Sequence, residues 1–434
     1  MSRAFENRQE NQPDVLSYSE ALRPNITPDG QAYAVWLVSL FFVLFQFLIQ
    51  LSSGEILDGL MRSFSLTALG GSILASAYYY IYVALQTPAG VLTDRYGPRL
   101  LLSSGAFVLM SGCLIFGLAH HVVLAFCGRL LMGFGAAFAF VGSLNLLTKW
   151  FPRERFTIMT GITETCGMGG TLVGSLLLAH LIEEIGWRDC MVGAGIISAV
   201  IGVLVVTVVR DRPANKIKKK HVKRRILPGL RVLLRMRVAW INGVYSGIMF
   251  SVVTVFAALW GIPFFQAVYD FTLFKATVVC SMMYIGVGVS CPMIGFIDRF
   301  IPQRRFFLMG AAFTCAVLLC ILLYVSMLPF GVLLILMVLL GITAGSYVLT
   351  FAIANEIAAT RIKTASIGFV NTLSVGFAPI LQTLIGLILF LLTMGVEHNG
   401  VHLYSVHEYH IALSVEPILL LIACGLAWFL PNRR

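Results

Sequence analysis

The chain has 434 residues, 58% hydrophobic and 12% charged, with a formal net charge of +11. A soluble domain usually carries about 25% charged residues, so a water-soluble globule is excluded, and the mean hydropathy of +0.88 agrees. The apolar residues fall in long blocks, and about 20 helical residues are needed to cross ~30 Å of hydrocarbon.

Twelve spans are predicted in chain order, at 32–53, 67–92, 101–120, 122–148, 156–182, 190–209, 238–265, 276–297, 306–326, 329–354, 365–394 and 411–430. The polar segment 1–31 precedes them as a cytoplasmic arm, and the first span serves as an uncleaved signal anchor. On that span Ser39, Gln46, Gln50 and Ser53 share one face. Tyr78, Tyr82 and Gln86 do the same on the second, which ends in PAGVLTDRYGPR (88–99). Membrane helices use such stripes to line a cavity or to bond neighbouring helices.

Two ionisable residues lie well inside these spans, where burial of charge is costly and marks functional candidates. Arg129 is in the fourth, in GRLLMGFGAAF (128–138), facing a cavity or snorkelling to the outer surface. Glu164 is in the fifth, about 12 Å from its inner end. There it is either a proton-coupling group or a structural hydrogen-bonding one. The glycine runs Gly133-Phe134-Gly135 and Gly167–Gly170 permit close helix packing. Trp150 and the pair Trp187-Arg188 read as interface anchors.

The stretch 210–237 is a basic linker that separates 32–209 from 238–430, each with six spans; residues 431–434 form a cytoplasmic tail. Within it, 226–240 can lie along the membrane as an amphipathic helix. With both termini inside, 27 of the 31 Lys and Arg residues fall on the cytoplasmic side, three fall outside and Arg129 sits within a span. That is the positive-inside pattern. It accounts for the net charge as topology rather than as affinity for nucleic acid.

The eighth span ends in PMIGFIDRFIPQRR (292–305), so Asp298-Arg299 repeats Asp94-Arg95 at a distance of 204 residues. Duplicated six-helix halves around a mid-membrane site are a transporter architecture. In the first copy Gly90 allows close helix approach, while Gly97 and Pro98 make the tight turn. Asp94 sits at a helix end, where it can clasp a basic group or a helix N-terminus. In the second copy Ile301 replaces Gly97.

Gly90, Asp94, Arg95, Gly97 and Arg99 resemble the signature loop of the major facilitator superfamily. The resemblance implies an all-α membrane protein of about 12 transmembrane helices in two pseudo-repeated six-helix bundles, with Asp298 and Arg299 completing a second gating loop. It further implies a cavity lined by the first, fourth, seventh and tenth helices. That favours Gln46, Gln50, Arg129, Tyr245, Trp260 and Tyr347 for substrate, and Glu164 with Arg129 for coupling. SAYYYIYVALQTPAG (76–90), KWFPRERFTIMTGITETCGMGG (149–170), FAALWGIPFF (256–265) and TASIGFVNTLSVGFAPILQTLIG (364–386) are similar to the phagosomal nutrient transporters of intracellular bacteria. That likeness implies uptake of an amino acid or nucleoside; with the repeat, the signature loop and the polar first span, the leading expectation is proton-coupled uptake across the inner membrane, by a monomer. No proline occurs in 156–182, where the superfamily's proton antiporters carry a Gly-Pro motif. The competing readings are export of a siderophore or amphipathic drug on the same fold, and a non-transporting receptor.

No G-x-x-x-x-G-K-[ST] loop is present, and nothing in the sequence points to an enzyme. The nine cysteines lie in or beside spans and read as packing residues, so neither a disulfide, a metal nor a cofactor is expected. His120, His121, His398, His402, His407 and His410 are assigned to loops.

Overall fold

The computed structural model describes residues 30–211, 233–297, 300–301, 303–325, 327–357, 363–392 and 404–432. Among them every regular element is a helix. Asp298, Arg299, most of the 210–237 linker, the arm before Gly30 and His398 and His402 lie outside the described residues.

Eleven helices are long and apolar enough to cross a bilayer. One of them, Arg153–Val208, has 56 residues, about 84 Å at 1.5 Å per residue, far more than one crossing needs. Gly186 interrupts it with φ 83° and ψ 160°. The fifth and sixth spans are therefore separate crossings joined at this residue, which gives twelve. An added Cβ at Gly186 would meet nothing within 4 Å, so the positive φ alone favours glycine there. Gly186→Ala is expected to destabilise the fold by about 1 kcal/mol, read as a lowered thermal midpoint of the purified protein with no change in oligomeric state.

The remaining spans match their predicted positions within a few residues, with three informative differences. The first crossing does not stop at residue 53. Gly30–Leu51 breaks at Ser52 (φ −99°, ψ 28°) and resumes as Ser53–Phe64. The seventh, Arg237–Tyr269, is π-helical from Val252 to Trp260, and 94% of its apolar window is buried. The twelfth begins at Val406 rather than at 411, because Ser405 and Glu408 form a capping box. This places His407 and His410 on a helix, with the His410 ring 5.4 Å from that of Tyr324.

Packing explains several residues read as anchors. Trp150 is buried and donates to the Arg210 carbonyl at 2.9 Å. Trp187 is buried too and donates to Ser63 Oγ at 3.1 Å. Arg188 stacks on the Trp187 ring at 4.4 Å. Glycine serves close approach at Gly133 and Gly135, as expected, while Gly169 has nothing within 4 Å. An added Cβ at Gly133 would strike the Tyr78 carbonyl, and one at Gly135 would strike the Gly105 carbonyl.

The first six crossings meet the last six along two seams, the second crossing against the eleventh and the fifth against the eighth. Polar contacts across the seams gather toward the end away from Arg95 and Arg99. There the Tyr404 hydroxyl takes part in a 2.7 Å bond with the Ala68 amide. The Phe274 amide donates to Glu183 Oε1 at 3.2 Å. Tyr284 donates to the Leu51 carbonyl at 3.2 Å, and Ser76 donates to Gln382 Oε1 at 2.8 Å. Gly54 lies directly against the Leu259 carbonyl. The seams are thus sealed at one end of the bundle.

Candidate functional site

Glu164 lies about 17 Å along its helix from Arg153. It is half-buried, and among the described residues it has no hydrogen bond or ion pair. A structural bond to the neighbouring Thr163 is not made. Thr163 instead donates to the Met159 carbonyl at 2.7 Å and accepts from Trp36 at 3.1 Å. Glu164 stands within electrostatic range of Tyr82 on the second crossing, Cys291 on the eighth and Tyr347 on the tenth. It therefore looks across from one group of six helices to the other. Nearby, Asn371 Nδ2 donates to Gln86 Oε1 across the seam at 3.2 Å, and Gln86 Nε2 is buried without a partner.

The tenth crossing presents Tyr347 through a short 3₁₀ turn, Gly345–Tyr347. Such a turn inside a membrane helix shifts side-chain direction locally. The Tyr347 ring packs 4.8 Å from Phe250. On the other wall Tyr82 stacks on Tyr78 at 5.5 Å. An acid, two tyrosines and an amide pair can bind a small polar molecule and exchange a proton.

The other sequence-selected residues are placed elsewhere. Gln46 donates to Gln50 Oε1 and, at 3.2 Å, to the Tyr78 hydroxyl. Both glutamines are buried within the first six crossings. Arg129 is 1% exposed. It donates to Ser53 Oγ at 2.6 Å and to the Ala75 carbonyl at 3.0 Å, with the Tyr78 and Phe116 rings beside it. It neither snorkels to the surface nor reaches Glu164. Tyr245 donates to the Leu308 carbonyl at 2.9 Å inside the last six. Trp260 donates to the Gln382 carbonyl at 3.2 Å on the sealed side. Of the residues selected for substrate or coupling, the structure brings Glu164 and Tyr347 together, and groups Gln46 and Gln50 near Arg129 through Tyr78.

At the basic end the loop carrying Gly97 and Arg99 is docked on the end of the sixth crossing. Gly97 has φ 91°. Arg99 donates its backbone amide to Asp211 Oδ1 at 2.9 Å and its guanidinium to the Val206 carbonyl at 2.6 Å. An added Cβ at Gly90 would make only an ordinary contact, 3.9 Å from Val141 Cγ1, so the close helix approach expected of this glycine is not made; Arg95 stacks over Tyr96 at 5.1 Å. Of Asp94 only the helical backbone is described. In the second half the buried Arg304 at the start of the ninth crossing holds Glu356, at the end of the tenth, through two bonds of 2.5 and 2.9 Å. Removing the acid from such a fork leaves a buried guanidinium under-satisfied, which costs about 1–3 kcal/mol. Glu356→Ala is expected to lower the melting midpoint by several degrees, and Glu356→Asp by less, in a thermal unfolding assay.

Sequence reasoning missed two further buried acids. Glu55 is 4% exposed and Glu416 is 0% exposed. The Ser251 hydroxyl donates to Glu416 Oε2 at 2.9 Å. Glu416 lay inside the predicted twelfth span and was visible by inspection. Glu55 fell two residues past the predicted end of the first.

Twelve crossings in two contacting groups of six, with a polar site midway between them, define a polytopic membrane protein of the transporter type. The family model of the Major Facilitator Superfamily matches residues 35–383, and the chain belongs to that superfamily. A probable galactarate/D-glucarate transporter of Bacillus subtilis is 23% identical over 209 residues, 46% of this chain and 45% of that one. A nitrate/nitrite transporter of Nostoc punctiforme is 31% identical over 153 residues, 32% of this chain and 30% of that one. The chain thus spans less than half the length of the curated relatives it matches. A D-xylose-proton symporter superposes with a TM-score of 0.72 at 15% identity, covering 92% of this chain and 98% of that one. An inward-facing, occupied bacterial homologue of the human lysosomal transporter Spinster also scores 0.72, at 14% identity over 93% and 97%. These two share the fold.

Proposed function

We propose that this chain is a secondary active transporter that takes up a small polar organic nutrient across the bacterial inner membrane, with both termini cytoplasmic. The observation that carries this reading is Glu164, unpaired among the described residues and facing Tyr82 and Tyr347 between the two groups of helices, while the polar contacts described across the seams gather toward one end. The positive-inside pattern favours the cytoplasm for the end opposite those contacts. The structure then corresponds to the inward-facing stage of alternating access, and rocking of the halves opens the opposite side. The likeness to phagosomal nutrient transporters favours an amino acid or a nucleoside. The buried engagement of Arg129 with Ser53 and Ala75 favours a neutral or amine-bearing substrate over the anions named for the relatives. A carboxyl at Glu164 that meets alternately the two sides is suited to carry the driving proton.

The test is uptake by the purified protein in liposomes, with labelled amino acids and nucleosides, with and without an inwardly directed proton gradient. Accumulation that collapses when the gradient is dissipated is expected. Uptake indifferent to the gradient across the whole panel would overturn the proton-coupled reading.

A further inference from the structure

The resumed part of the first crossing, Ser53–Phe64, carries a buried acid into the sealed seam. Glu55 Oε2 has no hydrogen-bond partner. The fifth crossing supplies Ser175, whose buried hydroxyl lies beside the carboxyl. Further along that crossing, Glu183 is engaged with the Phe274 amide. The eighth supplies Cys280 and Tyr284. On the second crossing Tyr79 donates to the Gln50 carbonyl at 3.1 Å. The seventh meets this part of the helix with Leu259 and Ile262, which carry no charge. Asp58, one turn on, is exposed and paired with Arg62 at 3.0 Å. Arg129 touches Ser53 at 2.6 Å. Two residues along a helix is about 200° of rotation, so that guanidinium lies on the face opposite Glu55, and no ion pair joins them among the described residues.

An ionised carboxylate shut into such a seam without a cation is strongly disfavoured. A sodium ion is a poor substitute for the missing charge here. It needs several oxygens, and the Gln50 and Leu51 carbonyls beside the break at Ser52 each already accept a hydrogen bond, from Tyr79 and Tyr284, so a cation would have to share them. A proton needs only the orphaned oxygen.

We propose that Glu55 is a proton-operated latch of this seam. The seam closes over the neutral carboxyl, and opening hydrates it and returns its proton to the water on that side. The inference rests on the alternating-access reading, because it requires the seam to open. Glu55 thereby differs from Glu164. It exchanges its proton with one side only, so it carries no net current and instead sets how readily the outward-open stage forms at a given pH. Acid outside holds the seam shut, and alkali releases it.

The test is a distance measurement on the full chain in nanodiscs, with no substrate present. Spin labels are placed at Val123→Cys and Met327→Cys, both exposed at the sealed end of the two halves, in a cysteine-free background. A population with separated ends is expected to grow between pH 5 and pH 9 in the otherwise native chain. Glu55→Gln is expected to keep the short distance throughout, and Glu55→Asp to keep the response. A native distribution that does not move with pH, or a Glu55→Gln distribution that moves with it, overturns the proposal. Should the cysteine-free chain not fold, hydrogen exchange over residues 50–60 and 254–262 of the native protein and of Glu55→Gln, compared at each pH, reads the same opening. Because no substrate enters either measurement, failure of the uptake assay leaves this result standing, and the converse holds as well.

Discussion

Glu164→Gln is expected to abolish gradient-driven accumulation while leaving substrate exchange between the two sides of a vesicle largely intact. Glutamine keeps the size and hydrogen-bonding capacity of the side chain but cannot lose a proton. If Glu164 carries the driving proton, the halves still rock with substrate bound, so exchange continues and only uphill movement fails. The physical basis is its placement. The side chain is half-buried, has no partner of its own among the described residues, and lies within range of Tyr82 and Tyr347 on opposite walls. The check is paired, with net uptake against a pH gradient and counterflow at equal pH, in the same liposomes. Equal loss of both would mark a structural role, and retention of both would remove Glu164 from coupling.

The second large effect is expected at the crossing of the eighth and tenth helices. Gly286 and Gly341 face each other so closely that an added Cβ on Gly341 would overlap the Met283 carbonyl. One on Gly286 would overlap the Val338 carbonyl and lie 2.8 Å from the Ile342 nitrogen. Backbone atoms cannot turn aside as a side chain can. Gly341→Val must therefore push two helices apart, at a cost of about 3 kcal/mol or more. Those helices carry Cys291 and Tyr347, which stand opposite Glu164, so the site loosens with the packing. Loss of the monodisperse peak in detergent, or a large fall in melting midpoint, is expected. Gly193→Ala, where an added Cβ meets nothing within 4 Å, is expected to leave both unchanged.

Much of the architecture was legible because lipid imposes simple rules. Continuous apolar length revealed the crossings, and the crowding of glycine around Gly133 and Gly135 revealed close contacts. What was hidden depended on direction. The stripe Ser39, Gln46, Gln50 and Ser53 was visible as one face, but periodicity cannot say which neighbours that face meets. Here it meets Ser143, Tyr78 and Arg129. Arg129 was legible as an intramembrane cation and illegible in its role, because its main acceptors are a serine hydroxyl and a backbone carbonyl supplied by distant segments. Glu55 was lost for a local reason. Ser52-Ser53-Gly54 reads as the end of a span, whereas the chain makes a single irregular residue and continues. Asp211 and Glu356 were passed over because acids at helix ends are common and their basic partners, Arg99 and Arg304, lie far away in sequence.

The enclosure of the seventh crossing has a consequence for how the protein is made. Asn242 bonds the Thr350 carbonyl, Ser246 bonds Ser374, Ser251 bonds Glu416, and the Thr254 carbonyl accepts from Gln382. Every one of these companions is synthesised later than the helix that needs it. During biogenesis the seventh segment must therefore wait in the bilayer with its polar groups exposed to fatty chains, and its folding is finished only when the last segments of the polypeptide emerge.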